Sequence, residues 1–190
     1  RLRHERLVPI IAFCAEPGAL AAVFTLLSPI SHRSLKTLSD ADVSLISGHV
    51  AEALKFLHTR EKRAVHRDVK PTNILLERGP DGSVEKAYLS DLGILTTMVE
   101  GATHASTRQG GTPLFEDPGS LDGRARIEHD VYSFGVTLAC LTARVMWPER
   151  QGAADIMDSG ALADDVAAAV EWMTQPDLAA RPTADDLPAL

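Results

Sequence analysis

Apolar residues in this 190-residue chain form a few short runs, followed by longer stretches with helical spacing. Residues 7–14 and 21–27 are apolar runs separated by Glu16-Pro17-Gly18, and they predict two strands joined by a turn. A polar stretch containing Ser28-Pro29 and Ser31-His32-Arg33 leads into a short segment at 34–38. The clearest helix follows, because Val43, Ile46, Val50, Leu54 and Leu57 recur at steps of three and four. Ser39 with Asp42 three residues later is its start signal, since each side chain can satisfy a free backbone N–H. Residues 73–76 and 84–89 flank Gly79-Pro80-Asp81-Gly82 and predict a hairpin. Residues 95–120 are rich in Gly, Thr and Ser with little periodicity, as in functional or mobile segments. Val131, Tyr132, Phe134, Val136, Leu138 and Leu141 make residues 131–141 apolar on nearly every side, which predicts a central buried helix. Leu162, Val166, Val170 and Met173 mark one face of a last helix that ends before Pro176. A few strands followed mainly by helices predicts an α+β fold with a helical lobe.

Composition narrows the partners. Hydrophobic residues make up 45% and charged residues 24%, which suits one globular domain or the larger part of one. A formal net charge of −7 argues against nucleic acid or an anionic membrane as the main partner. No run of about 18 apolar residues occurs, so no segment reads as bilayer-spanning. The two cysteines, Cys14 and Cys140, lie in apolar runs and read as buried reduced thiols, which points to a reducing compartment. The histidines show no metal-ligand spacing with these cysteines, so no zinc site is expected.

The octet His66-Arg67-Asp68-Val69-Lys70-Pro71-Thr72-Asn73 follows the long helix directly, and so is expected on a loop held by a rigid element. Its residue types suit phosphoryl transfer. Asp68 can orient a substrate hydroxyl and take its proton, Lys70 can meet the charge on a transferring phosphate, and Asn73 can hold a metal ion. Asp91-Leu92-Gly93 offers a second carboxylate for Mg²⁺, although Asp followed by Gly also suits a turn. His66 reads as a packing residue rather than an acid or base.

With Gly111-Thr112-Pro113, Asp130-Val131-Tyr132-Ser133-Phe134-Gly135 and Arg181-Pro182-Thr183, these segments resemble a eukaryotic protein kinase domain of the Ser/Thr type. Asp117-Pro118 and the Asp-Val-Tyr-Ser-Phe-Gly run are most similar to plant-type receptor-like and cytoplasmic kinases. The resemblance covers essentially the whole chain. It implies a kinase-like α+β fold, with residues 1–27 as an N-lobe remnant and hinge approach and residues 28–190 as the C-lobe. It further implies that Asp68 and Lys70 are catalytic and that Asn73 and Asp91 hold Mg²⁺. Thr25, Leu26 and Leu27 would line the adenine edge of ATP behind a gatekeeper Phe24, with Leu75 as the floor. Thr112 would bridge Asp68 and Lys70 on the peptide side, and Lys70 goes with Ser/Thr acceptors. Arg67 implies control by phosphorylation, with Thr96, Thr97, Thr103, Ser106 and Thr107 as candidate acceptors. Protein substrates are the implied partners. No nucleic acid and no membrane contact by this segment are expected. The implied setting is cytoplasmic, including the intracellular part of a longer receptor-like protein.

Three features depart from the pattern. The 190 residues contain no Gly-rich phosphate loop, no strand Lys for the phosphates and no helix Glu to pair with it. Gly119 stands where the family's Ala-Pro-Glu ending has Glu, so Arg181 needs another partner, and Glu116 or Asp117 is expected to supply it. Leu92 replaces the usual Phe, a mild exchange of bulky apolar residues. The sequence thus favours an ATP- and Mg²⁺-dependent Ser/Thr protein kinase seen as a fragment, with a pseudokinase or scaffold acting through the helical lobe as the alternative. Small-molecule phosphotransferases fit less well, since their loop usually has Gly in place of Arg67.

Overall fold

The computed structural model describes residues 3–16, 19–24, 26–98, 105–106, 111–147 and 153–187. Strands β1 (Ile10–Glu16) and β2 (Ala19–Phe24) pair antiparallel, as the two apolar runs predict. A short strand β3 (Ser28–Pro29) and helix α1 (His32–Leu35) follow. Helix α2 (Asp40–Thr59) is capped by Ser39, whose hydroxyl accepts from the Asp42 N–H while the Asp42 carboxylate accepts from the Ser39 N–H. The five apolar residues of its stripe are all buried. Each such Val, Leu or Ile contributes roughly 1.5–3 kcal/mol on removal from water.

Two-residue strand β4 (Ala64–Val65) leads into the octet, and β5 (Ile74–Arg78) and β6 (Val84–Leu89) form the predicted hairpin. β3 joins β5 on its other side, pairing Pro29 with Leu75. Side chains of α2 cover the outer edge of β6. His49 Nδ1 accepts from the Ala87 N–H at 3.1 Å, and Asp42 accepts from the Val84 N–H at 3.3 Å. Those bonds occupy donors that an exposed edge would leave free.

Among the described residues of the stretch at 95–120, two short strands form and a 3-10 turn begins at Pro118. β7 (Thr96–Thr97) pairs with β4, and β8 (Ala105–Ser106) pairs with β9 (Arg124–Ala125). Helix α3 (Ile127–Ala143) is buried along most of its length, which its all-round apolar character predicts. Arg144 ties its end to the start of α2, donating to the Leu38 carbonyl at 3.2 Å and to Asp40 at 2.8 Å. Helix α4 (Ala153–Asp158) is too short to show a period in sequence. Helix α5 (Asp164–Met173) buries Val170 and Met173, while Leu162 falls just before it. It packs so closely on α3 that a Cβ at Gly135 would lie 2.9 Å from the Met173 Cβ.

Residues 153–187 carry eight acidic side chains and a single basic one, Arg181, so the chain's net charge of −7 lies on the α4–α5 side. Among the described residues no helix is long and apolar enough to cross a membrane. Cys140 is a buried free thiol, and burial pushes it up to about 12. Cys14 lies in β1. Trp147 and Trp172 sit at the surface: Trp147 packs edge-on to Phe115, and Trp172 donates to the Ala180 carbonyl.

Candidate active site

The octet is shaped from below by Asp130, in the first turn of α3 and fully buried. One carboxylate oxygen accepts from the His66 N–H, and the other from the Arg67 N–H, both at 2.7 Å. His58, near the end of α2, adds a 2.8 Å bond through Nε2. Burial pushes the Asp130 carboxyl up, but these donors outweigh it and leave it below the ordinary carboxylate range. The two N–H bonds hold the chain where Arg67 takes a left-handed backbone, φ 75°. That conformation is uncommon outside Gly and Asn, and it persists where surroundings over-determine it.

His66 is a neutral strut. Its Nε2–H donates to the Ser90 carbonyl at 2.8 Å and its Nδ1 accepts from the Asp68 N–H at 3.3 Å, so both ring nitrogens are used. Burial lowers its pKa and keeps the ring uncharged. The packing role predicted for it therefore holds, and it also links the segment before Asp91 to Asp68.

Asp68, Lys70, Asn73 and Thr112 converge. Lys70 Nζ donates to Asp68 Oδ2 and to Thr112 Oγ1, both at 2.6 Å. The Thr112 hydroxyl in turn donates to Asp68 Oδ1 at 2.8 Å. Asn73 Nδ2 reaches the Asp68 carbonyl at 2.8 Å and its Oδ2 at 2.9 Å. Burial pushes Asp68 up, but Lys70, Thr112 and Asn73 outweigh it and hold the carboxyl below its usual range. The group is therefore ionised at neutral pH and accepts hydrogen bonds well, while its strength as a base is reduced.

Thr112 reaches this cluster because Gly111 lets the chain come close. Gly111 has φ 138°, and a Cβ there would sit 2.9 Å from the Arg67 carbonyl oxygen. The missing side chain is what allows the 111–113 segment to lie on the octet.

Asp91 is brought beside Asn73 by backbone pairing. The Ser90 N–H and hydroxyl both donate to the Asn73 carbonyl at 2.8 Å, and Asp91 is the next residue. Asp91 itself adopts a left-handed backbone, φ 59°, and accepts weakly from the Gly93 N–H at 3.3 Å. Asp91 is thus a turn residue, as its Gly neighbour predicts, and its carboxylate stays exposed. Among the described residues no three His, Cys, Asp or Glu side chains cluster for a metal. The pair still fits Mg²⁺. Asn73 has its amide nitrogen engaged, leaving the oxygen for a cation, and Asp91 adds a second hard oxygen ligand. Mg²⁺ needs only one or two protein ligands when water and phosphate supply the rest.

The residues expected to border adenine are less assembled. Leu75 is half-buried between Pro29 and Tyr88 in the β3–β5–β6 sheet, Leu27 is half-buried and Leu26 is 98% exposed. Thr25 lies outside the described residues, and Phe24 ends β2. Of the candidate acceptors, Thr96 accepts from Arg67 Nη1 at 3.3 Å, Thr97 is exposed and Ser106 belongs to β8. Thr103 and Thr107 lie outside the described residues.

Arg181 has the substitute partner that Gly119 demands. Its Nη1 pairs with Asp117 Oδ2 and its Nη2 with Asp117 Oδ1 at 3.2 Å, in a fully buried contact. Arg181 also donates to the Glu128 and Gln175 carbonyls and lies over the Tyr132 ring at 5.1 Å. Sequence reasoning singled out neither Asp130 as the hub of the loop nor Ser90 as the link to Asp91, because both act through residues distant in the chain.

An α+β fold with a helical lobe presenting such a loop defines a class, the kinase-like folds. The family model for the protein kinase domain matches residues 1–188, and the chain belongs to that family. It is similar to Receptor-like serine/threonine-protein kinase ALE2 of Arabidopsis thaliana, 36% identical over 144 residues, covering 73% of this chain and 18% of that protein. An EPD1-interacting receptor-like cytoplasmic serine/threonine-protein kinase of Nicotiana benthamiana is 36% identical over 146 residues, covering 73% of this chain and 30% of that protein. U-box domain-containing protein 70 of Oryza sativa subsp. japonica is 33% identical over 188 residues, covering 90% of this chain and 22% of that protein. The chain spans less than a third of the length of each of these relatives.

Proposed function

We propose that this chain is the acceptor-side part of a Ser/Thr protein kinase domain, with residues 1–27 as the end of the N-lobe and residues 28–190 as the C-lobe. The observation that carries the reading is the closed set of bonds joining Asp68, Lys70, Asn73 and Thr112. Asp68, ionised and fixed by three donors, accepts the hydrogen bond of an incoming Ser or Thr hydroxyl and orients its oxygen for attack. It takes the proton as the hydroxyl oxygen bonds to the γ-phosphorus of ATP and the bond from that phosphorus to the ADP oxygen breaks. Lys70 lies within reach of the same hydroxyl and offsets the charge on the transferred group. Catalysis here is positioning and charge stabilisation.

ATP would supply the phosphoryl group, and Asn73 and Asp91 would hold a Mg²⁺ ion that offsets its negative charge. Leu27 and Leu75, with Leu26 and Thr25, would border the adenine. The bond from Arg67 to Thr96 supports regulation by phosphate on the segment beyond Asp91. Acidic character around α4 and α5 disfavours nucleic acid and anionic membrane as partners. Similarity to a receptor-like kinase and to a receptor-like cytoplasmic kinase favours a cytoplasmic setting and protein substrates.

A scaffold reading rests on Gly119 and on the lack of a Gly-rich loop within these residues. Gly119 loses its force, because Asp117 holds Arg181. Transfer from Mg·ATP to a Ser peptide and to its Tyr counterpart, using a translation product that contains this chain, tests the reading. Preference for Ser is expected, and preference for Tyr would overturn it.

A further inference from the structure

One face of α3 holds both halves of the candidate site. Asp130 fixes the catalytic loop through the His66 and Arg67 N–H groups. Ser133, one turn further on the same face, is 5% exposed, and its hydroxyl donates to the Phe115 carbonyl at 2.7 Å. The alternative acceptor within the helix, the His129 carbonyl, is further away at 3.0 Å. Phe115 closes a turn with Thr112, its N–H donating to the Thr112 carbonyl at 2.8 Å. Thr112 is the residue that meets Asp68 and Lys70. A rigid helix therefore spans the gap between the catalytic loop and the peptide-side segment, with Asp130 as one anchor and Ser133 as the other.

We propose that Ser133 is a positioning residue: its bond to the Phe115 carbonyl sets the height of the 112–115 turn and thereby places the Thr112 hydroxyl between Asp68 and Lys70. Without it the Phe115 carbonyl has lost its buried donor, and the turn must shift to find another or reach water. The displacement is felt at Thr112, three residues away, while Asp130 still holds the loop below. The inference rests on the kinase reading only for the meaning given to the Lys70 site. The geometry itself can be tested with no catalysis.

The test is the rate at which an amine-reactive acetylating reagent labels Lys70, compared with exposed Lys86 in the same molecule by peptide mass spectrometry. In the native chain Lys70 is held by Asp68 and Thr112 and labels slowly. Ser133→Ala is expected to raise its relative rate about tenfold, as loss of one hydrogen bond would. Ser133→Thr, which keeps the hydroxyl, should stay near the native rate. Cys140, buried on the same helix, reports general loosening through its rate with a thiol reagent and should stay protected in both variants. Should the alanine form fail to fold, Ser133→Cys fills the same space with a weaker donor and is expected to give an intermediate Lys70 rate. An unchanged Lys70 rate in the folded Ala or Cys form, or a rise matched by Cys140, would overturn the proposal. Failure of peptide phosphorylation with these labelling results intact would instead count against the kinase reading alone.

Discussion

Asp117 and Arg181, 64 residues apart in sequence, form a buried ion pair in which each carboxylate oxygen meets a different guanidinium nitrogen. The pair anchors the segment that follows Thr112 to the stretch of chain after α5. Removing one side leaves a buried charge unpaired, so Asp117→Ala should lower stability by roughly 3–5 kcal/mol. Gly119→Glu alone should bring no gain, because Arg181 is already occupied and a Cβ at Gly119 would lie 3.3 Å from Asp117 Oδ1. The double variant Asp117→Ala/Gly119→Glu should recover part of the loss. Urea unfolding of the three variants checks this ordering, and no loss in Asp117→Ala would contradict it.

Acid should destabilise the fold in two stages. His49, His66 and His129 are all lowered from 6.5 by burial, so the folded chain keeps them neutral while the unfolded chain protonates them below about that pH. Their stabilising effect is complete above 6.5 and is lost as pH falls through their lower folded values. Asp68 and Asp130 are lowered from 3.8, and their contribution is complete above that value and is lost as pH falls further. Melting temperatures measured from pH 7.5 to pH 3 should decline first below 6.5 and again below 3.8. A flat profile between pH 7 and 5 would contradict the neutral-histidine account.

Gly111→Ala should be costly although it adds one methyl group. The backbone at φ 138° is strained for any L side chain, and the new Cβ would press on the Arg67 carbonyl. A loss of roughly 1–3 kcal/mol is expected from the backbone alone. Differential scanning calorimetry of the variant beside Gly160→Ala, also at positive φ but with open space around it, separates the steric part from the torsional one. Equal losses would show that the close approach to Arg67 does not matter.

Residues 1–190 by themselves should bind Mg·ATP weakly or not at all. They contain no Gly-rich loop or strand Lys for the phosphates, and Leu26, proposed to border adenine, is 98% exposed. Isothermal calorimetry on the chain should give no heat at micromolar concentrations. A micromolar dissociation constant would show that the C-lobe groups suffice.

How far the sequence could be read depended on how local each signal was. The α2 stripe and the Ser39–Asp42 cap lie within one helix, so their spacing was legible, and so was the octet with Asp91. The choice between Glu116 and Asp117 for Arg181 was not, because both are adjacent acids and only the path of the chain after Thr112 decides which turns inward. Asp130 was recognisable as part of a motif, yet its bonds to His58, His66 and Arg67 span more than 60 residues and leave no periodic trace. α4 escaped for the opposite reason, since six residues make less than two turns. Ser133 looked like one polar residue in an apolar helix, and only the fold shows that it faces the Phe115 carbonyl.

In the proposed mechanism, the Asp68 cluster orients and activates a Ser/Thr hydroxyl. Phosphate transfer from Mg·ATP to a Ser/Thr peptide, measured for a translation product containing this chain and for its Asp68→Asn variant, tests it most directly. Asparagine keeps the shape but cannot take the proton, so the variant should lose about 10²–10⁴ of the rate. Equal transfer by both forms would contradict the claim.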